Sequence, residues 1–438
     1  MGNSKKVVYV VHCIDVEGPM REPLDATFGR LKEEDFIALD VEPTKENLKM
    51  LQSGELDLGV PKERADFLRR KYSADNLNYL ETWEQIKEVM DHALSEEFRL
   101  SLADSTGNGY VYNWFIFDQF GFESNPRFKS EGIHNVWDFY HENYLAQQSC
   151  KEDGIYWHYH HPPRSGDAIE WNTNLWMNDV YEQILARRVI ERNWFPSVFR
   201  AGGHIERNDF SYWLEMFVPF DYSGRTPHHM DYKAYRGDVC DWRFAPTEWG
   251  AWHPDFHDYR RTGSMNRWIF RCLDLKTWII SLTERDVREA FEQADERGMS
   301  ILAYYNHDYR MMHEEAQYGH DLVSKVAQEY PNIEFRYANA LDAAKAYMGK
   351  DDQTPEFTVE FDGTLMTIES SCELFGPMPF LAIQENGYFF RDNPTQESST
   401  TWCYRFRKPE LLQAVGIAGN SKMGNTGVKV VQDPFGNV

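Results

Sequence analysis

Three short stretches of this chain gather the residue types that hold divalent cations or move protons. Asp15 and Glu17 stand two apart at the end of the β-branched run 7–14. On a strand that spacing puts both carboxylates on one face, where they could grip one divalent cation, or one could ligate while the other serves as base. A turn or a helix N-cap would use the same residues, because Gly18-Pro19 follows. The segment Trp157-His158-Tyr159-His160-His161-Pro162-Pro163 packs three imidazoles into four positions. His158 and His160 share a strand face and could chelate one zinc ion; a turn at the prolines would pair His158 with His161 instead. The alternative is that all three are satisfied polar groups beneath the aromatics. Phe199-Arg200-Ala201-Gly202-Gly203-His204 adds a fixed cation, and its glycines let backbone N–H groups approach an anion or an oxyanion closely. His307-Asp308 ends the run 301–306, with His307 in phase with Ile301, Ala303 and Tyr305.

The elements that must position these groups are legible as an alternation of short apolar runs and helical patterns over residues 6–348. Strand candidates lie at 7–14, 110–117, 155–160 and 196–200, with further strand ends at Asp221 and at 301–307. Thr82-x-x-Gln85 reads as a capping box ahead of the stripe Trp83, Ile86, Met90 and Ala93. Trp176, Val180 and Ile184 mark a second helix, and Val287, Ala290, Phe291 and Ala294 a third. Such alternation predicts a parallel sheet or a β/α barrel, a fold whose chemistry collects at the C-terminal ends of the strands. The acids, the histidines, Arg200 with its glycines, Asp221 and His307-Asp308 all fall at such ends. After a polar break at 349–355, Phe357, Val359 and Phe361 alternate with polar residues, and Phe380, Ile383, Tyr388 and Phe390 sit between turn residues. This predicts a small antiparallel β domain over 356–416, then a loosely ordered tail, 417–438.

The composition narrows the function classes. Of 438 residues, 42% are hydrophobic, enough for a large core, and the net charge of −24 opposes phosphate backbones and anionic lipid surfaces. Nucleic acid is therefore not expected as a partner, and no apolar run is long enough to predict a membrane span. The six cysteines (Cys13, Cys150, Cys240, Cys272, Cys372, Cys403) are scattered without a C-x-x-C pair, and the first residues lack the pattern of a secretory leader. Both points predict a reducing, cytoplasmic setting.

The order of motifs (Asp-x-Glu at the first strand, a His cluster before Pro, Phe-Arg-x-Gly-Gly, Asp221-Tyr222-Ser223, a late strand ending in His) resembles the polysaccharide deacetylase family, carbohydrate esterase family four, over about residues 6–348. The resemblance implies a distorted β/α barrel, here spanning 1–348 with insertions at about 18–110 and 226–266. It also implies a divalent metal, Zn²⁺ by donor type, held by one carboxylate and two histidines. Carried over, Asp15 is the base and Glu17 the metal ligand, with two of His158, His160 and His161 completing the set. Arg200 maps to the residue that orients the catalytic acid, the Gly203 N–H to the oxyanion donor and His307 to the general acid. A neighbouring carboxylate such as Asp308 would raise the pKa of His307. The family's histidines are four apart and its arginine motif continues with prolines; this chain differs at both points.

The reading that follows is a metal-dependent hydrolase acting on a carbon–nitrogen bond, removing acetyl from an N-acetylated sugar or a related small amide. A glycoside hydrolase on the same barrel type, or a catalytically silent carbohydrate-binding or assembly protein, are the alternatives; a homo-oligomer is left open. Trp242, Trp249, Trp252, His253 and Tyr259 in the second insertion could be stacking platforms over a sugar site, core packing or a subunit contact.

Overall fold

The computed structural model describes residues 5–33, 35–118, 120–162, 166–167, 179–226, 242–277 and 281–436. Among the described residues nine strands form the main sheet: β1 (Lys6–Val16), β2 (Tyr112–Phe117), β3 (Gly154–Tyr159), β4 (Val198–Ala201), β5 (Phe220–Gly224), β6 (Ala251–Trp252), β7 (Trp268–Asp274), β8 (Met299–His307) and β9 (Ile333–Tyr337). Seven parallel strands, in the order β1-β2-β3-β4-β5-β7-β8, close on themselves, since β1 bonds both β8 and β2. The expected distorted β/α barrel is therefore present. Its distortion has a definite place. Along one edge of β1, Lys6–Val10 pairs with β9 while His12–Val16 pairs with β2. The short β6 lies antiparallel on β7.

Strand periodicity sorts the side chains. Val8, Val10, Ile14 and Val16 of β1 face outward and are buried with Ile86, Met90, Val287 and Phe291 of the surrounding helices. Val11 and Cys13 face inward and fill the lumen with Tyr156, Val198, Tyr222, Phe270, Cys272 and Ala303. Strands buried on both faces are what a barrel wrapped in helices requires. The helix Trp83–Ala93 starts at the expected capping box, with the Thr82 hydroxyl accepting from the Gln85 N–H and the Gln85 side chain accepting from the Thr82 N–H. The helix Val180–Arg192 carries Ile184 into the core; Trp176 lies outside the described residues.

Two four-stranded antiparallel sheets follow: β10 (Phe357–Asp362), β11 (Leu365–Ser370), β12 (Phe380–Glu385), β13 (Tyr388–Asp392), β14 (Thr395–Gln396), β15 (Thr401–Arg405), β16 (Leu412–Asn420) and β17 (Thr426–Gln432), ordered β10-β11-β15-β14 and β13-β12-β16-β17. Ile368, Leu381, Ile383, Trp402 and Val415 fill the space between them. The tail expected to be loosely ordered instead carries β17, which pairs with β16 along its length. Its Val428 and Val430 alternate with polar residues, a pattern obscured by the Gly, Asn and Lys around it. The other face of the second sheet presents Phe380, Ala382, Ala414 and Ala418 to Val189, Phe195 and Phe217 of the barrel's shell.

Both insertions take definite form. Helices Leu24–Glu33, Lys45–Ser53 and Lys62–Lys71 enclose a small core of Phe28, Leu31, Leu51, Phe67 and Leu68. In the second insertion Trp242, Trp252 and Tyr259 are buried together with Ile269, and Trp249 lies under the Arg271 guanidinium at 4.0 Å. These aromatics are core, not exposed platforms. No described helix is long and apolar enough to cross a membrane.

Phe380 is fully buried against Phe195 and Phe217, at ring separations of 5.1 and 5.6 Å. Phe380→Ala should lower the unfolding free energy by about 3–5 kcal/mol, read as a shifted urea midpoint.

Candidate functional site

At the C-terminal mouth of the barrel the inward-facing series of several strands changes from apolar to ionisable. On β1 the series Val11, Cys13 continues as Asp15 and, just past the strand, Glu17. On β3, Tyr156 is followed by His158, and two residues on by His160; on β4, Val198 is followed by Arg200; on β8, Tyr305 is followed by His307. Register brings them together, because Asp15 is paired with His307 and His158 with Arg200 across neighbouring strands.

Asp15 is locked by Arg200. The guanidinium donates from Nε to Oδ1 at 2.7 Å and from Nη2 to Oδ2 at 2.9 Å, and it lies 4.1 Å over the Tyr305 ring. Burial alone would raise the Asp15 pKa, but Arg200, helped by His158, brings it below the ordinary value, so the group is a carboxylate at neutral pH. Arg200 thus orients the carboxylate expected to be the base.

Glu17, His158 and His160 converge. Their ligand atoms lie within 4.8 Å of one another, and all three residues are buried. The separations are 2.9 Å between the two Nε2 atoms, 3.3 Å from His160 Nε2 to Glu17 Oε1 and 3.9 Å from His158 Nε2 to the same oxygen. His158 Nδ1 faces the Arg200 carbonyl at 3.0 Å, and a carbonyl only accepts, so Nδ1 carries the hydrogen and Nε2 is the ring atom turned to the cluster. The donor set fits a small divalent ion. Zinc bonds of about 2.0–2.1 Å at a tetrahedral angle place donors about 3.4 Å apart, close to the mean of what is seen. Burial would raise the Glu17 pKa; Lys129 Nζ, 3.3 Å from Oε2, and the two imidazoles drive it well below normal.

His161 does not join them. Strand periodicity turns it to the outer face, where its ring meets Phe210 at 4.8 Å and Nε2 donates to the Glu206 carbonyl at 2.9 Å. The pair with spacing two is therefore the one brought together. Asp308 also points away from the position expected of it. Its carboxylate accepts from the Glu17 and Gly18 N–H groups and from the Tyr140 hydroxyl, each at 2.9 Å, fixing the turn that carries Glu17. The expected rise in the His307 pKa is absent; burial lowers it to about 4 against the pull of Glu17 and Asp15. Asp221 faces outward and binds Arg267 at 2.9 Å.

Gly202 and Gly203 divide their work. The His160 ring lies flat against Gly202, where a Cβ would overlap it, and Gly203, at φ 57°, lines the cleft over the site. That cleft has a volume of about 590 Å³, and His307, with 24% of its side chain exposed, opens into it. Sequence reasoning missed Lys129, Tyr79, Arg127 and Arg310, which also line or abut the site. They come from segments without metal-ligand or acid–base spacing, and only the fold juxtaposes them.

The fold and site thus define a closed β/α barrel with a buried acid–histidine centre at its C-terminal mouth. No family model matches the chain, and no curated protein matches it. Among solved structures it is similar to a protein described as a glycoside hydrolase/deacetylase from Parabacteroides distasonis, at 10% identity over 89% of this chain and 86% of that one, with a TM-score of 0.35. It is also similar to the endo-β-1,4-mannanase from Thermotoga petrophila, at 10% identity over 79% of this chain and 93% of that one, with a TM-score of 0.25. Similarity of this size assigns neither family nor activity.

Two outcomes follow from the geometry. Gly202→Ala should push the His160 ring aside, and any affinity of the Glu17–His158–His160 cluster for a divalent ion should fall at least about ten-fold while the far-UV circular dichroism stays unchanged. Glu315, buried at the cleft floor with Asn306 Nδ2 donating to it at 2.7 Å, has its pKa raised by burial from 4.5 to about 7. Between those values the folded chain holds the proton more tightly than the unfolded one, so this group's contribution to stability falls as pH rises. Glu315→Gln should leave the urea midpoint near that of the parent at about pH 5 and raise stability by about 1–3 kcal/mol at pH 8.

Proposed function

We propose that this chain is a divalent-metal-dependent hydrolase that removes the acetyl group from an N-acetylated sugar or a related small amide. The observation that carries the reading is the convergence of Glu17, His158 and His160 beside a carboxylate locked by Arg200, with a solvent-facing histidine paired to that carboxylate across the neighbouring strand. Glu17, His158 and His160 would hold the ion, and zinc suits a mixed imidazole–carboxylate set with an open position. The chemistry such an ion supplies when bound is Lewis acidity toward a carbonyl and toward water.

The chain's own groups do the rest. Asp15, ionised and fixed by two guanidinium hydrogen bonds, accepts a proton from the attacking water; its fitness as base rests on position rather than on a pKa near neutrality. His307 faces the cleft, where it is placed to protonate the departing amine; burial lowers its pKa to about 4, so the resting ring is neutral at pH 7 and must first take up a proton from solvent in the cleft, after which it is a strong donor. The Gly203 N–H, at the cleft wall, is the donor for the developing oxyanion. Motif order resembling the polysaccharide deacetylases supports the same assignment of roles.

The test is metal content and product together. The purified protein should carry about one zinc per chain, and His158→Ala should carry none. Acetate should appear from N-acetylated sugars without any release of reducing sugar ends from glycosides. His307→Ala should stay folded and zinc-loaded and lose about 10²–10⁴-fold in turnover. Full zinc occupancy in His158→Ala, or near-normal turnover in folded His307→Ala, would overturn these roles.

A further inference from the structure

The wall of the cleft beside His307 has a composition at odds with the rest of this acidic chain. His307 stacks on Tyr309, with centroids 4.7 Å apart and planes 18° from parallel, and Tyr309 meets the edge of Tyr79 at 5.4 Å. Two guanidinium groups are set against the Tyr79 ring, Arg310 at 4.7 Å and Arg127 at 5.5 Å from its centroid. Both arginines line the cleft.

Among the described residues, neither cation has its hydrogen-bonding capacity filled by protein. Arg310 donates from Nη1 to the Asp75 and Asn78 carbonyls and from Nη2 to the Asn76 carbonyl. Those bonds fix the guanidinium in place, leave its Nε–H without a protein acceptor, and bring no carboxylate within ion-pair distance among the described residues. Arg127 is 4% exposed, and its Nε lies 2.7 Å from Glu22, which also pairs with Arg30 at 2.7 Å. Among the described residues the Arg127 Nη groups have no protein acceptor, although the side chain is more than nine-tenths buried and borders the cleft. Guanidinium groups fixed beside the cleft with N–H groups unused by protein offer them to an oxyanion there.

The backbone is bent to produce this arrangement. Phe128 sits at φ 53° and is 55% exposed, while Arg127 on one side and Lys129 on the other both turn inward, the latter to Glu17. The Asn125 side chain secures the bend by accepting from the Lys129 N–H and donating to the Lys129 carbonyl, each at 2.9 Å. A bulky residue in the left-handed region persists only where the surroundings enforce it, and such residues cluster at ligand sites. Of the acidic side chains around this wall, Asp75 and Glu314 are exposed, whereas Glu22 is buried against Arg127 and Arg30 and Glu315 is buried near Arg310.

We propose that Arg127 and Arg310, set together against Tyr79 beside His307, form a subsite for an oxyanion substituent of the substrate, a phosphoryl or a carboxylate group. This inference rests on the hydrolase reading for its orientation: His307 serves the departing amine, so the anion belongs to the sugar that bears the amine. The substrate class is then an acidic acetamido sugar rather than a neutral one. A cationic wall in a chain of net charge −24 also concentrates the field on the cleft.

Isothermal titration of the purified full-length protein with N-acetylglucosamine 1-phosphate, glucuronate and N-acetylglucosamine tests this, with bound zinc measured on the same samples. At least one charged sugar should bind about ten-fold or more tightly than the neutral one, and that advantage should shrink with added NaCl. Preference for the sugar phosphate assigns the group as phosphoryl; preference for glucuronate assigns it as carboxylate. Arg310→Gln and Arg127→Gln should each remove most of the advantage. If Arg127→Gln fails to fold with Glu22 left beside it, Arg310→Gln decides alone. Equal binding of charged and neutral sugars, no binding of either charged sugar, or an advantage intact in Arg310→Gln overturns the subsite. Zinc content separates this from the hydrolase reading: a chain that prefers the anion yet binds no zinc keeps the subsite and loses the metal, and a zinc-loaded chain indifferent to charge does the reverse.

Discussion

A carboxylate held in the lumen of a closed barrel stays ionised only with a cation against it. The bidentate contact between Arg200 and Asp15 meets that condition here, and much of the mouth is built around it. The same arginine gives its backbone carbonyl to His158 Nδ1, and that bond turns His158 Nε2 toward Glu17 and His160. Its Nη1 donates to the Tyr222 carbonyl at 2.6 Å and to Cys272 Sγ at 3.2 Å, and its face lies on Tyr305, two residues before His307. Arg200 therefore ties its own strand, β4, to β1, β3, β5, β7 and β8 at the level of the site. Losing either partner of a buried pair leaves an uncompensated charge costing about 3–5 kcal/mol, so site and barrel are coupled energetically.

Much of this was legible because strand periodicity is rigid. Asp15 with Glu17, and His158 with His160, are two apart, and a period of two places each pair on one face wherever the strands run. The same rule excludes His161 from the lumen once β3 is known to continue as far as Tyr159. His307 and Arg200 follow from the same count along their strands. The capping box at Thr82 and the barrel class were legible for a related reason, as both depend on local pattern.

What escaped the sequence depends on contacts between distant segments. Lys129 reaches Glu17 across more than a hundred residues, and nothing around Lys129 marks it as different from a surface lysine. Asp308 looks like a partner for its neighbour His307, yet alternation sends it to the opposite face, where it holds the turn after β1. The tryptophans of the second insertion could equally have faced a ligand; burial with Ile269 makes them core. The first insertion supplies Arg30, Lys71 and Tyr79 to the cleft wall, a role invisible in a segment that reads only as amphipathic helices.

Glu17, His158 and His160 at the barrel mouth form a donor cluster that we propose holds a divalent metal. Anomalous scattering from crystals of the zinc-supplemented protein, collected on both sides of the zinc edge, tests it most directly. One strong peak is expected within bonding distance of Glu17 Oε1, His158 Nε2 and His160 Nε2 and of no atom of His161. A mouth without a peak at saturating zinc, or a peak bound by His161 in place of His160, would contradict it.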